Sequence, residues 1–198
     1  MIEKRRKDTL PVNSYENLDQ LRDATLMCEK CGLAAGRTKV VFGVGNPRAK
    51  VMLIGEGPGQ NEDLQGEPFV GRAGQLLDKM LLAAGFSRGD NVYIANMVKC
   101  RPPDNRDPTP EEVAQCLGWL REQTRLIRPK FIVCLGRIAA QQIIDPKFKV
   151  TQQHGQFTER NGVWLMGTFH PAALLRNPLN KPEAFDDLCK LRDRVASL

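Results

Sequence analysis

What the chain lacks narrows its reading first. No apolar run approaches the roughly 20 residues that a membrane span needs. The opening Met1-Ile-Glu-Lys-Arg-Arg-Lys7 has no apolar stretch behind it, so a secretory signal is not expected. There is no internal repeat and no low-complexity tract. No G-x-G-x-x-G and no P-loop Lys-Ser/Thr follows the glycine-rich segment, which weakens a nucleotide-triphosphate reading. Only two histidines occur in 198 residues. Hydrophobic residues at 41% and charged residues at 26% are ordinary for a globular protein and leave no room for a disordered or fibrous class. The length fits one domain with a sizeable core, assigned to residues 15–198, behind a flexible basic arm over residues 1–14.

Charge and cysteine are what the chain has. Lys plus Arg number 29 against 23 Asp plus Glu, a formal net charge of +6. That balance favours polyanions, nucleic acid above all, through attraction to phosphates. Without a secretion signal, the six cysteines are expected as thiols in a reducing cytoplasm. Cys28 and Cys31 form a C-x2-C pair, a spacing that lets two thiolates grip one metal centre. Cys100 and Cys116 form a second candidate pair. Four thiolates suggest an all-cysteine zinc site or an iron–sulfur cluster, and spacing does not choose between them. Cys134 and Cys189 fall inside predicted elements and read as small core residues.

Apolar runs at Val51–Ile54, Val92–Ala95, Phe131–Leu135 and Val163–Met166 alternate with helical patterns. The helices are expected at Tyr15–Met27, Ala73–Ala84, Pro110–Ile127, Arg137–Ile144 and Pro182–Ala196. Thr109, Pro110 and Glu112 spell a capped helix start. Such alternation predicts an α/β/α three-layer fold around a mostly parallel four-stranded sheet. Ligands then bind beyond the carboxyl ends of the strands. Gly55-Glu-Gly-Pro-Gly59 with Glu62 and Asp63, Asn96, Gly136-Arg137 and Thr168-Phe-His-Pro171 all fall at that rim. His170 stands out by position, whereas His154 lies in a polar, exposed-looking stretch. Phe69, in a polar loop, reads either as a hydrophobic plug or as a stacking platform for a base.

These pieces, together with Pro68-Phe-Val-Gly-Arg72, Asn96 four residues before Cys100-Arg-Pro-Pro103, Pro108-Thr-Pro-Glu-Glu112 before Cys116, and His170-Pro-Ala-Ala-Leu-Leu-Arg176, resemble the family 4 uracil-DNA glycosylases. The match runs from about Cys28 to Arg176 in order. The resemblance implies the glycosylase fold, a 4Fe–4S cluster on Cys28, Cys31, Cys100 and Cys116, and hydrolysis of uracil from single- or double-stranded DNA. An abasic site would remain, with the DNA backbone uncut. Zinc is the alternative group for the cysteines. Uracil would meet Gly55, Glu56, Gly57, Phe69, Asn96 and His170.

The chemistry of these side chains suits the assignment. A base must leave the helical stack before an enzyme reaches its glycosidic bond. The Asn96 carboxamide complements O4 and the N3 hydrogen of uracil and not cytosine. His170 would donate to O2, where charge grows as the base departs. Gly57 cannot act as a base, so Glu56 is the first candidate to position water or stabilise the sugar cation, and Glu62 the second. The alternative role for Glu62 is to crowd C5 of the base and so exclude the thymine methyl. Pro171, Leu174, Leu175 and Arg176 are expected at the DNA minor groove, with a leucine as wedge. A uracil-DNA binder with little turnover and a metal-stapled nucleic-acid-binding module are the rival readings. No membrane contact is expected, and a cytoplasmic monomer is.

Overall fold

A computed structural model describes residues 15–198; the arm assigned to residues 1–14 lies outside them. The four predicted strands are present as β2 (Val51–Gly55), β3 (Val92–Asn96), β4 (Phe131–Leu135) and β6 (Val163–Thr168), each within two residues of its expected end. They run parallel. Two more strands extend the sheet to six: β1 (Val44–Gly45) and β5 (Phe157–Arg160) pair antiparallel on the outer edges, in the order β1-β3-β2-β4-β6-β5. The expected count of four therefore falls short. β1 is only two residues long, and β5 is largely exposed, so neither carries a buried apolar run to betray it.

Side-chain alternation along the parallel strands builds two cores. Val51, Leu53, Val92, Ile94, Phe131 and Val133 face one side, against Leu77 and Leu81 of α4 (Arg72–Ala83) and Leu188 and Leu191 of α9 (Lys181–Ala196). Met52, Ile54, Tyr93, Ala95, Ile132 and Cys134 face the other. They meet Leu120 and Ile127 of α5 (Pro110–Ile127) and Ala139 and Ala140 of α6 (Arg137–Ile143). A one-residue slip would exchange the two faces, so this pattern fixes the register. The result is the expected three-layer arrangement. Cys134 is a core residue as expected, while Cys189 is only half-buried.

The start of α5 follows its sequence signal. The Thr109 hydroxyl accepts from the Glu112 amide, and the Glu112 carboxylate accepts from the Thr109 amide at 2.8 Å. Arg106 adds a two-pronged contact to the same carboxylate. A third apolar cluster lies beyond the sheet, where Leu21 of α1 (Leu18–Leu26), Leu33 of α2 (Leu33–Gly36), Val98 and Trp119 surround the cysteine pairs.

Candidate active site

The carboxyl ends of the four parallel strands open into one cleft of about 610 Å³. β2 delivers Glu56 and Gly57, β3 delivers Asn96, β4 leads into Gly136 and Arg137, and β6 leads into Phe169 and His170. α3 (Gln60–Gln65) adds Glu62, and the loop ahead of α4 adds Phe69. The structure thus brings together Glu56, Gly57, Glu62, Phe69, Asn96 and His170, residues spread over more than half the chain.

Asn96 is 1% exposed, and its Oδ1 has no hydrogen-bond partner. Among the described residues it is the one fully buried side-chain polar atom left so. Such an orphan costs roughly 1–3 kcal/mol, a cost tolerated at sites that await a ligand donor. Gly55 explains how it is reached. A Cβ there would stand 2.4 Å from Asn96 Oδ1 and 2.6 Å from Phe69 Cζ. Only glycine lets the carboxamide and the ring approach the strand end together.

Phe69 is held in a left-handed backbone conformation at φ +55°, which costs a non-glycine residue roughly 1–2 kcal/mol. Three devices hold it there. Arg88 donates to the Pro68 and Phe69 carbonyls at 2.6 and 2.8 Å. The Val70 and Gly71 amides donate to Glu62 Oε1, both at 2.9 Å. Gly74 leaves space for the Phe69 carbonyl, which a Cβ would strike at 1.8 Å. The ring sits 5.7 Å from the His170 ring. Phe69 is therefore buried and also lines the cleft.

His170 caps α8 (Pro171–Arg176), its Nδ1 accepting the Ala172 amide at 3.1 Å. That bond leaves the ring proton on Nε2. Burial, with help from Arg176, pushes its pKa down to about 4, against an opposing pull from Glu62. The imidazole is thus a neutral donor at physiological pH. Gly136, at φ +93°, passes beneath it; a Cβ there would meet the His170 Cβ at 2.8 Å.

Glu56 has a partner that sequence reasoning missed. Burial pushes its carboxyl up to about 7, and the charge and hydrogen bond of Asp107 push the same way, opposed by Arg137. Arg137 also holds Asp107 at 2.8 Å. Asp107 lies between Arg106 and Pro108 in a loop that looks like an ordinary helix lead-in. No local pattern separates it from a solvated carboxylate, so only the tertiary fold reveals it.

Two carboxylates beside the glycine turn are held by backbone amides: Glu62 Oε1 accepts from Val70 and Gly71, which orders the Phe69 loop, and Asp63, 4% exposed, accepts from the Thr38 amide at 2.9 Å. Two expectations need correction. Leu174 is 1% exposed and packs with Phe169 and Ala184, so it cannot enter DNA. His154 is not an exposed residue without contacts: its Nδ1 lies 3.0 Å from Asp187, whose carboxylate also accepts from Thr168 at 2.6 Å. That network anchors the end of β6 ahead of His170.

Of the other expected DNA contacts, Pro171 is buried as the first residue of α8, Leu175 is half-buried, and Arg176 is exposed at the cleft. Three residues further on, Leu179 is 85% exposed.

The four cysteines expected to act together line one small pocket of about 10 Å³. Three N–H groups point at their sulfurs: the Lys99 amide at Cys116 (3.2 Å), Trp119 Nε1 at Cys28 (3.3 Å) and Arg37 Nη1 at Cys100 (3.5 Å). Donors aimed at sulfur are the surroundings that thiolate ligands need. Burial pushes the Cys116 thiol up to about 12 and the Cys100 thiol upward, so these sulfurs ionise only against a bound positive group. Among the described residues, no three Cys, His, Asp or Glu side chains gather as ligands of a single metal ion. Four cysteines around one pocket, with N–H groups aimed at three of their sulfurs, are a donor set of the kind an all-thiolate group uses.

Residues 42–190 match the family model of the uracil DNA glycosylase superfamily. The chain is 46% identical to the type-4 uracil-DNA glycosylase of Archaeoglobus fulgidus over 89% of its length and 92% of that protein's. It is 44% identical to the type-4 uracil-DNA glycosylase of Thermotoga maritima, covering 84% of this chain and 87% of that one. Against the enzyme of the same name from Sulfurisphaera tokodaii, identity is 39% over 90% and 84%. The chain belongs to the uracil-DNA glycosylase superfamily, in its type-4 branch.

Proposed function

We propose that the cleft receives a uracil extruded from DNA and hydrolyses its N-glycosidic bond, leaving an abasic site. The observation that carries this reading is the buried, unpartnered Oδ1 of Asn96 at the floor of the cleft. The N3 hydrogen of uracil supplies the missing donor, and O4 accepts from the Asn96 amide. Cytosine has no N3 hydrogen and would leave the acceptor orphaned, a discrimination of the kind that unpaired buried groups enforce. Phe69 stacks on the ring.

As the C1′–N1 bond breaks, its electron pair leaves with the base. The His170 Nε2–H donates to O2 and stabilises the developing anion, a contribution of about 2.7–4 kcal/mol for one such donor. Water then adds to C1′. Glu56, beside Asp107, takes the water proton or steadies the cationic sugar. Glu62 orders the Phe69 loop. Arg176 meets phosphate, and the exposed Leu179 is the apolar group available to fill the vacated stack. Duplex and single-stranded DNA both fit an open cleft of this kind.

Cys28, Cys31, Cys100 and Cys116 would hold a 4Fe–4S cluster, which when bound supplies a structural cross-link between α2's approach, the β3 exit and α5. The absorption of freshly purified protein tests this. A brown sample with a broad band supports the cluster, and a colourless sample with bound zinc refutes it. Residues 15–198 form the functional domain in this reading. A monomer in a reducing, cytoplasmic setting completes the proposal, as expected for a chain whose cysteines stand as free thiols.

The test of function is incubation with oligonucleotides carrying one uracil, single-stranded and duplex, followed by alkali. Multiple-turnover breaks at uracil support the enzyme. A stable complex with at most one turnover would instead mark a binder, and neither result would leave only a nucleic-acid-binding module.

A further inference from the structure

The Lys99 side chain has had no role so far, yet the residue touches both sites. Its side chain is among the largest fully buried ones, at 1% exposure. The ammonium donates to the backbone carbonyl of Asn96 at 2.8 Å and to Gln123 Oε1 at 2.6 Å. Gln123 is itself fully buried and fixed by its donation to the Phe42 carbonyl at 2.9 Å. The backbone amide of Lys99 donates to Cys116 Sγ, and Cys100 is the next residue. One residue thus links the cavity lined by four cysteines to the strand end that presents Asn96.

Its setting is costly. Both acceptors of the ammonium are neutral, and among the described residues no carboxylate pairs with it. Taking an ammonium out of water costs several kcal/mol unless a negative charge compensates. A methionine would fill the space without that cost. The Lys99 backbone amide meets Cys116 Sγ at 3.2 Å and Cys100 is the next residue, so these sulfurs are the adjacent groups able to carry negative charge. Thiolates committed to a bound group would supply a permanent counter-charge on that side.

We propose that Lys99 couples the four-cysteine site to base recognition: its ammonium balances the thiolates and pins the Asn96 carbonyl, so that filling the site sets the position of the Asn96 carboxamide. Lys99 is a positioning residue, since it reaches uracil only through Asn96. The proposal rests on the uracil and four-cysteine readings above. It makes the group on the cysteines matter to base selection, although it lies outside the cleft.

The test compares wild type with Lys99→Met, each as purified and after stripping with chelator and oxidant. Iron per chain and visible absorption report the site. Base recognition is read as the affinity ratio between a duplex carrying a non-hydrolysable deoxyuridine analogue and the same duplex carrying deoxycytidine, which lacks the N3 hydrogen that Asn96 would read. Using the ratio cancels changes in general DNA affinity. Stripping wild type should lower the ratio about tenfold, the equivalent of one buried charge-assisted hydrogen bond. Lys99→Met should show that loss already, and stripping it should cost nothing more. If Lys99→Met retains no iron, its ratio should equal that of stripped wild type. A wild-type ratio in Lys99→Met, or the same stripping factor in both proteins, overturns the proposal. Lys99→Gln is read by the same criteria if the methionine variant is insoluble. A wild type without iron, or without preference for deoxyuridine, overturns the underlying readings instead.

Discussion

Asn96→Ala separates a recognition residue from a structural one, because the two make opposite predictions for stability. The substitution removes the carboxamide and leaves the backbone carbonyl that takes the Lys99 ammonium. Two hydrogen bonds to the base disappear, together worth about 3 kcal/mol, so kcat/KM for uracil excision should fall roughly 10²-fold. The folded protein loses nothing comparable, since Oδ1 has no partner in it. Removing an orphaned acceptor relieves part of its 1–3 kcal/mol cost, so stability should hold or rise by about 1 kcal/mol, or about 2–4 °C in Tm. Thermal unfolding and excision kinetics on a single-uracil oligonucleotide measure both. A Tm several degrees lower with excision intact would refute the reasoning and make Asn96 a fold residue.

Glu56 loses its proton at about 7, so excision should rise with pH through that value as the base form accumulates. Asp107→Asn removes a neighbouring negative charge and should move the midpoint of the profile downward; an unmoved midpoint would detach Glu56 from the acid limb. His170 stays neutral down to about 4 and should add no second limb near neutrality. Gly55→Ala places a Cβ 2.4 Å from Asn96 Oδ1, so excision should fall about 10²-fold or more from misplacement of the reading groups, with the visible absorption of the protein unchanged. Leu174→Ala should cost about 2–5 kcal/mol of stability by opening the core. Leu179→Ala, at an exposed site, should leave stability alone and slow excision from duplex more than from single strands. Equal slowing on both substrates would exclude Leu179 as a wedge.

How legible the molecule is from its sequence depends on whether a residue's partners are local. The four parallel strands and α5 announce themselves, because buried apolar runs and a capping box are short-range patterns. β1 and β5 do not, since edge strands carry no buried run. The cleft residues could be gathered from their shared place at strand ends. Their roles could not be separated the same way. Glu62 and Glu56 look alike on the page, yet one is spent on the Val70 and Gly71 amides and the other faces Asp107. Leu174 and Leu179 differ only in which side of a short helix and turn meets Phe169. Asp107, Lys99 and the His154–Asp187 pair draw their meaning from partners 17 to 51 positions away or from burial that no window reveals.

The most direct measurement is a structure of the protein with free uracil. The Asn96 carboxamide should pair with N3 and O4, the base should lie against Phe69, and His170 Nε2 should reach O2. Uracil bound elsewhere, or bound in the cleft with Asn96 Oδ1 still unpartnered, would contradict the account.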